Sequence, residues 1–152
     1  MRLLALALLA SALSLSGADS LLGTWRLNIE KSEFFPKDTR YKRHVFTLEV
    51  VGRQLRYHED GIFEDGRPFA GTFTGLPGGP ATKPKAPTTF TPRGESLSFE
   101  VVGDEMIWVT ATDKGGKITA RWMVVLDGQH LRMTQVTGGS STRVFDRVPP
   151  KD

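Results

Sequence analysis

Cysteine is absent from the 152 residues of the sequence. Its absence excludes a disulfide framework, a metal site with cysteine ligands and a thiol nucleophile. Phosphate-binding loops, the Gly-x-Ser-x-Gly nucleophile elbow and His-Glu-x-x-His metal motifs are absent as well, and the three histidines stand far apart. We therefore predict no catalytic residues, no metal site and no cofactor, and we expect stability to come from core burial alone.

A long apolar run occurs only at the beginning of the chain, over residues 3–15. Arg2 precedes the run and Ser16-Gly17-Ala18 follows it, which is typical of a secretory signal peptide cleaved after Ala18. Crossing a bilayer takes roughly 18 or more apolar residues, so we predict no stable membrane insertion. Residues 1–18 are thus expected to be removed on export, leaving residues 19–152 as one secreted or periplasmic domain.

Charge of one sign is not concentrated anywhere in the chain. Lysine and arginine total 20 against 17 aspartates and glutamates, for a formal net charge of +3. The basic residues are scattered and form no aromatic-interleaved basic motif; their densest group, Lys37, Arg40, Lys42 and Arg43, is interpreted as a solvated strand entrance, so we predict no nucleic-acid partner. The sequence leaves the oligomeric state open.

Apolar and polar residues alternate with period two through most of the chain after Asp19, which predicts β-strands. Turn dipeptides such as Asp60-Gly61 and Asp127-Gly128 recur roughly every eight to twelve residues. This spacing predicts about nine strands in an antiparallel sandwich or barrel. No segment is long enough for a crossover helix, and only residues 29–35 have room for a helical turn.

Residues 76–94 interrupt the alternation with five of the nine prolines and the pair Gly78-Gly79. Proline cannot donate to a β-ladder, so we predict a loop of extended, polyproline-like character. A loop this long is either a passive excursion or a lid or binding loop, and both interpretations stay open.

Isolated polar residues within the strand pattern give few candidates for chemistry. His44 lies on the apolar face of its strand, which favours a hydrogen-bonded core residue over a ligand to a metal. The acidic pairs Glu59-Asp60, Glu64-Asp65 and Asp104-Glu105 fall at predicted turns, where we expect them to be solvated.

Both ends of the mature sequence carry a family resemblance. Gly23-Thr24-Trp25 resembles the opening signature of the lipocalin and fatty-acid-binding-protein superfamily, and residues 142–148 are similar to the last strand of intracellular fatty-acid-binding proteins. The run from Gly23 to Ser32, together with Asp65-Gly66-Arg67-Pro68, resembles secreted bacterial lipocalin-like domains. The resemblance implies an all-β, antiparallel up-and-down barrel of eight to nine strands, closed by pairing of the first and last strands.

The resemblance also implies how one end of the barrel is closed. Gly23 would permit a close backbone approach and Trp25 would plug the barrel. A basic residue near the last strand covers this tryptophan in lipocalins, which makes Arg147 the first candidate and Arg143 the second for a cation–π contact.

The direction in which Arg143 points is left open by the sequence. Arg143 and Phe145 share one face of the last strand, and fatty-acid-binding proteins use an arginine and a tyrosine there to hold the ligand carboxylate. Phe145 replaces that tyrosine, so the hydroxyl donor is missing. If Arg143 points inward, its buried guanidinium requires an anion from a ligand or from the protein, because burying it alone costs several kcal/mol.

Our leading hypothesis is an exported, non-enzymatic barrel that binds a small, largely apolar molecule, anionic and lipid-like if Arg143 faces inward. The candidate ligand-binding residues are Arg143, Phe145, Phe46, Phe73, Trp108 and Trp122. One alternative is a module with a solid core that contacts an envelope partner, and another is an uncommon barrel enzyme that pairs a histidine with a carboxylate. Whether the barrel is hollow or packed separates the first two.

Overall fold

The structure is a computed structural model that describes residues 19–35 and 38–152. The predicted signal peptide, residues 1–18, lies outside the described residues. A 3₁₀ turn at Asp19–Leu21 leads into nine strands. In chain order these are β1 (Gly23–Glu33), β2 (Tyr41–Val51), β3 (Gln54–Phe63), β4 (Pro68–Gly75), β5 (Ser96–Val102), β6 (Met106–Thr112), β7 (Ile118–Asp127), β8 (His130–Thr137) and β9 (Thr142–Val148).

The strands form one antiparallel sheet that curls into a nearly closed barrel. Their order is β4-β3-β2-β1-β9-β8-β7-β6-β5, so the first strand pairs with both the second and the last. The β1–β9 pairing runs from Thr24 opposite Val148 to Asn28 opposite Val144. The predicted fold class is confirmed. None of the helices in the described ranges has the length and apolar character needed to cross a membrane.

The two ends of the barrel carry different connections. β1 begins and β9 finishes at one end, which we call the closed end. The opposite end, which we call the open end, carries the β1–β2 and β8–β9 connections.

The cylinder is interrupted between β4 and β5, which are not hydrogen-bonded to each other. Strand directions alternate along the sheet, so an odd number of strands leaves both edge strands running from the open end to the closed end. Residues 76–95 cross back between these edges. Thr82 exchanges two backbone hydrogen bonds with Leu97, and the Gly78 N–H donates to the Phe99 carbonyl at 2.7 Å. The sheet is therefore not fully closed as expected, and a loop fills the gap between its two edge strands.

Strand β6 has apolar side chains on both faces, and its inward face differs from our prediction. Ile107, Val109 and Ala111 are buried in the core. Trp108 lies half-buried on the outer face, where the Arg121 guanidinium sits 4.1 Å from its ring centroid. The prediction that Trp108 faces the interior is wrong, because period two cannot choose between two apolar faces.

Near the open end, the predicted turn at Asp60-Gly61 is wrong, and the segment with room for a helical turn contains none. Residues 29–35 contain no helical turn, because β1 extends to Glu33. Strand β3 continues through Asp60-Gly61 to Phe63, so no turn forms there. A Cβ atom at Gly61 would overlap the Arg43 carbonyl oxygen and the Phe69 ring, so this glycine provides close packing rather than a turn.

Candidate functional site

The closed end is sealed by Trp25 and Arg147. The Trp25 indole is fully buried, and its Nε1–H donates to the Leu21 carbonyl at 2.9 Å. The Arg147 guanidinium lies 4.2 Å from the Trp25 ring centroid and donates to the carbonyls of Leu22 and Ser20 at 2.8 and 2.7 Å. These contacts tie the N-terminal turn to the last strand.

Gly23 makes that seal possible. Its φ of +118° lies in a region that L side chains rarely adopt, and an added Cβ would sit 2.9 Å from Arg147 Nη1. The arginine above Trp25 is thus Arg147 rather than Arg143.

Strand β9 turns Arg143 and Phe145 toward the interior. Phe145 is fully buried, with its ring centroid 4.9 Å from that of Phe46. The Arg143 side chain is buried at the open end, and its guanidinium lies 5.0 Å from the Tyr41 ring centroid. Of the two orientations that the sequence leaves open, the chain adopts the inward one.

Arg143 is buried with part of its hydrogen-bonding capacity unused. Its Nε and Nη1 atoms have no hydrogen-bond partner among the described residues, and no described carboxylate forms an ion pair with it. The indole Nε1 of Trp122 is likewise buried without a partner. Buried polar groups are normally hydrogen-bonded, so these three nitrogens mark an incomplete site.

These unmatched groups border one cavity of about 280 Å³ at the open end. Two carboxylates, those of Asp38 and Glu95, also border it. They already accept hydrogen bonds from the backbone N–H groups of Phe35 and Arg93, at 2.9 and 2.8 Å. Within the described residues neither carboxylate forms an ion pair with Arg143, and the unmatched donors border the space of the cavity.

A buried polar network lies beside this cavity. Glu59 is almost fully buried and accepts a hydrogen bond from the Tyr57 hydroxyl at 2.5 Å and from His44 Nε2 at 2.9 Å. The backbone N–H and the hydroxyl of Thr89 also donate to it, at 2.5 and 2.7 Å. Our prediction that Glu59 is solvated at a turn is wrong. The alternation of Leu55, Tyr57 and Glu59 already placed it on the inward face, and the following Asp-Gly pair outweighed that signal.

The protonation of this network follows from burial and hydrogen bonding. Burial lowers the pKa of His44, and the nearby Glu59 only partly opposes the shift, so the imidazole is neutral. Burial alone raises the pKa of Glu59, but its hydrogen bonds, that from His44 first, bring the pKa below its ordinary value. A neutral His44 donates its Nε2–H to an ionised Glu59, which leaves His44 Nδ1 buried without a partner.

This pair meets the geometric condition of the enzyme hypothesis, which required a histidine within hydrogen-bond reach of an acid. Glu59, however, already accepts four hydrogen bonds. A carboxylate has about four lone-pair positions, so its acceptor capacity is used within the protein. The network is suited to positioning β2, β3 and the loop that carries Thr89.

The proline-rich segment enters the barrel rather than forming a solvated excursion. Phe90 is almost fully buried, with ring centroids of Tyr57 and Trp122 at 5.1 and 4.7 Å. Its neighbours Thr88 and Thr91 are buried as well. The sequence signal for this was a single aromatic residue inside the loop, which the proline content obscured.

With Phe90 in place, the interior is nearly full. The remaining apolar cavity measures about 20 Å³, room for roughly one water molecule. Its walls include Phe46, while Phe73 packs against Phe99 with ring centroids 4.9 Å apart. The predicted site residues therefore separate: Arg143 and Trp122 meet at the open end, the phenylalanines fill the core, and Trp108 lies outside.

The other two histidines lie on the outer surface. His58 is exposed and is 2.8 Å from the Thr72 hydroxyl. His130 Nδ1 lies 2.7 Å from Asp146, and its Nε2 lies 3.1 Å from Lys31 Nζ. Within residues 19–35 and 38–152, no group of three or more histidine, aspartate or glutamate side chains is arranged to hold a metal ion.

Comparison with known proteins gives a fold but no family by sequence. No protein-family model and no curated protein matches the chain. The Schistosoma mansoni fatty acid binding protein in complex with arachidonic acid has a TM-score of 0.66 at 15% identity, over 88% of this chain and 99% of its own. Echinococcus granulosus fatty-acid-binding protein 1 has a TM-score of 0.61 at 17% identity, over 86% and 98%.

A third similar structure is As-p18, an extracellular fatty acid binding protein, with a TM-score of 0.59 at 14% identity. The match covers 86% of this chain and 97% of that one. At these identities the likeness is one of fold: the chain has the lipocalin-like barrel of the fatty-acid-binding proteins.

Proposed function

We propose that the protein is an exported, non-enzymatic barrel that binds a small, largely apolar carboxylate, with the carboxylate at the open end. The observation that carries this proposal is the set of buried, unmatched N–H groups of Arg143 and Trp122 around one cavity.

The electrostatics of Arg143 select the head group. A buried guanidinium without an anion is costly, and a carboxylate removes that cost by accepting charge-assisted hydrogen bonds from it. Trp122 Nε1 offers one further donor in the same cavity. The site therefore favours an anion with at least two acceptor oxygens over a neutral molecule.

The apolar part of the ligand is inferred from the barrel wall and from similar structures. Below the open-end cavity the inward side chains are aromatic and aliphatic, among them Phe46, Phe99, Ile107 and Val109. The similar Schistosoma mansoni protein is in complex with arachidonic acid, a carboxylate with a long apolar tail. Together these observations support a fatty acid or a similar lipid as the ligand class.

Paired ligands test the head-group assignment. We expect Arg143→Gln to weaken dodecanoate binding roughly tenfold or more, because a hydrogen bond to a charged group contributes about 1.5–3 kcal/mol. Dodecanol, which has the same tail without the charge, should bind both proteins equally. Arg147→Gln at the closed end is the matched control and should leave dodecanoate affinity unchanged. Equal dodecanoate affinities of the wild type and Arg143→Gln, measured by titration calorimetry, would contradict the proposal.

Export is supported by the pattern of residues 1–18. N-terminal sequencing of protein made in its own host is expected to begin at Asp19. A mature protein that retains Arg2 would contradict export by signal cleavage.

A second candidate function is favoured by the interior volume of about 20 Å³, which suits an interaction module with a packed core. Native mass spectrometry of protein purified from its own host separates the candidates. A co-purifying small acid supports binding. The interaction module is supported by an empty protein whose tryptophan fluorescence does not respond to a lipid panel.

A further inference from the structure

Residues 88–91, which we call the plug, stand between the two cavities of the barrel. The Phe90 side chain lines both the open-end cavity that contains Arg143 and the small apolar cavity inside. Its ring packs between Tyr57 and Trp122. A ligand whose head reaches Arg143 and whose tail points into the barrel therefore meets Phe90 first.

The plug is packed in the core through Phe90, but few of its hydrogen bonds cross to other parts of the fold. It belongs to none of the nine strands, and its hydrogen bonds to the barrel are the two that Thr89 makes to Glu59. The other hydrogen bonds are local, since the Thr88 and Phe90 N–H groups bond to threonine hydroxyls within the plug. Removing it therefore breaks no β-ladder.

The seat of the plug on β4 depends on Gly71. A Cβ at this position would lie 3.0 Å from the Pro87 carbonyl oxygen and 3.2 Å from Thr88 Cα. Prolines 87 and 92 flank the plug and restrict the backbone on either side. The plug is therefore a short segment with a stiff boundary on each side.

We infer that the plug is an internal substitute for the tail of the ligand, and that a long apolar tail displaces it from the barrel. The inference rests on the proposed function and adds a rule for specificity. Short acids fill only the open-end cavity and leave the plug in place. The apparent affinity for long acids is the intrinsic affinity multiplied by the fraction of molecules in which the plug is already out.

Hydrogen exchange of the wild-type protein tests this directly, with hexanoate and hexadecanoate as probes. In the ligand-free protein the amides of residues 88–91 are hydrogen-bonded and should exchange slowly. Saturating hexadecanoate should accelerate their exchange roughly tenfold or more, whereas hexanoate should not. Unchanged or slower exchange of these amides with hexadecanoate bound would overturn the inference.

A variant pair gives an independent readout. Phe90→Ala should raise the ratio of hexadecanoate affinity to hexanoate affinity roughly tenfold, because it weakens the closed state of the plug, which only the long tail has to displace. Phe73→Ala, which removes another buried phenylalanine, is the control and should not change the ratio of the two affinities. If Phe90→Ala does not fold, Thr89→Val loosens the plug at Glu59 instead and should shift the ratio in the same direction.

The two proposals fail in different ways. Hexanoate binding that does not depend on Arg143 contradicts the proposed function. Arg143-dependent hexanoate binding, with no change of chain-length preference in Phe90→Ala or Thr89→Val, leaves that function intact and overturns the role of the plug.

Discussion

Each end of the barrel has one arginine of β9 and one buried tryptophan, yet Arg147 is exposed with its hydrogen bonds made, whereas Arg143 is buried with nitrogens unmatched. At the closed end, Trp25 Nε1 and the Arg147 guanidinium donate to backbone carbonyls. At the open end, Trp122 Nε1 and two nitrogens of Arg143 have no acceptor in the part of the chain that the structure describes. The same residue types thus complete the fold in one place and leave it incomplete in the other.

From this contrast we assign the closed end to folding stability and the open end to ligand binding. A buried donor with its acceptor stabilises the folded chain modestly, whereas a buried donor without one destabilises it by about 1–3 kcal/mol, more if charged. The closed end is complete by itself. The open end becomes complete only with an acceptor from outside, which is why we assign the ligand head group there.

The largest loss of folding stability is expected from truncating Trp25, the buried side chain at the closed end. Trp25→Ala should lower the free energy of unfolding by about 3–5 kcal/mol, because it leaves a cavity and removes a buried hydrogen bond. Urea denaturation measures this loss. A loss below about 1 kcal/mol would show that the Trp25 seal contributes little and would remove one side of the comparison.

A smaller loss of folding stability is expected at Gly23, where the backbone lies close to Arg147. Gly23→Ala should cost about 1–3 kcal/mol, because the φ of +118° disfavours a side chain and the new Cβ crowds Arg147. Gly128→Ala is the control, since its φ is also positive but nothing lies within 4 Å of the added atom. Equal losses in the two variants, measured by thermal unfolding, would mean that Arg147 adjusts without cost.

The arginines themselves should respond with opposite signs. Arg147→Met should lower the unfolding free energy by about 1–2 kcal/mol, because a cation–π contact and two hydrogen bonds to carbonyls are lost. Arg143→Met should raise it by a similar amount in the ligand-free protein, because an unpaired buried charge is removed. Unfolding curves without ligand decide the matter, and a destabilised Arg143→Met would contradict our account of the open end.

The smallest effect concerns pH and the network beside the open end. The pKa of His44 is lower in the folded than in the unfolded chain, so the unfolded chain takes up a proton first as the pH falls below the ordinary histidine pKa of 6.5. The free energy of unfolding should therefore fall as the pH is lowered through that range. It should fall further below the ordinary glutamate pKa of 4.5, because the pKa of Glu59 is lower in the folded chain. His44→Phe should flatten the first part of the profile. A wild-type profile that rises on acidification from pH 7 would contradict the neutral state of His44.

Period-two alternation and turn spacing correctly predicted an antiparallel all-β chain of about nine strands. The family resemblance correctly implied a barrel in which β1 pairs with β9. Predictions from alternation and turn spacing failed where one local signal competed with another. Glycine at position 61 indicated a turn but serves close packing, and Trp108 sat in a strand with two apolar faces.

The candidate site was accessible from sequence only in part. Family resemblance pointed to Arg143, yet alternation alone could not decide whether it faced inward. Trp122 was expected in the interior, but its unmatched Nε1 is a matter of three-dimensional neighbours. Phe90 and the partnership of Glu59 with Thr89 depend on a contact thirty residues apart in sequence, and no local pattern encodes it.

At the open end, Trp122 and Arg143 have N–H groups that, within the described residues, are free to bind the carboxylate of a ligand, whereas at the closed end Trp25 and Arg147 donate to backbone carbonyls. Nuclear magnetic resonance of the three tryptophan indole N–H groups tests this difference most directly during titration with dodecanoate. Our account predicts that the Trp122 indole signal shifts as it gains an acceptor, while the signals of Trp25 and of Trp108 on the outer face stay in place. A Trp122 signal that does not move when dodecanoate is bound at saturation would contradict the account.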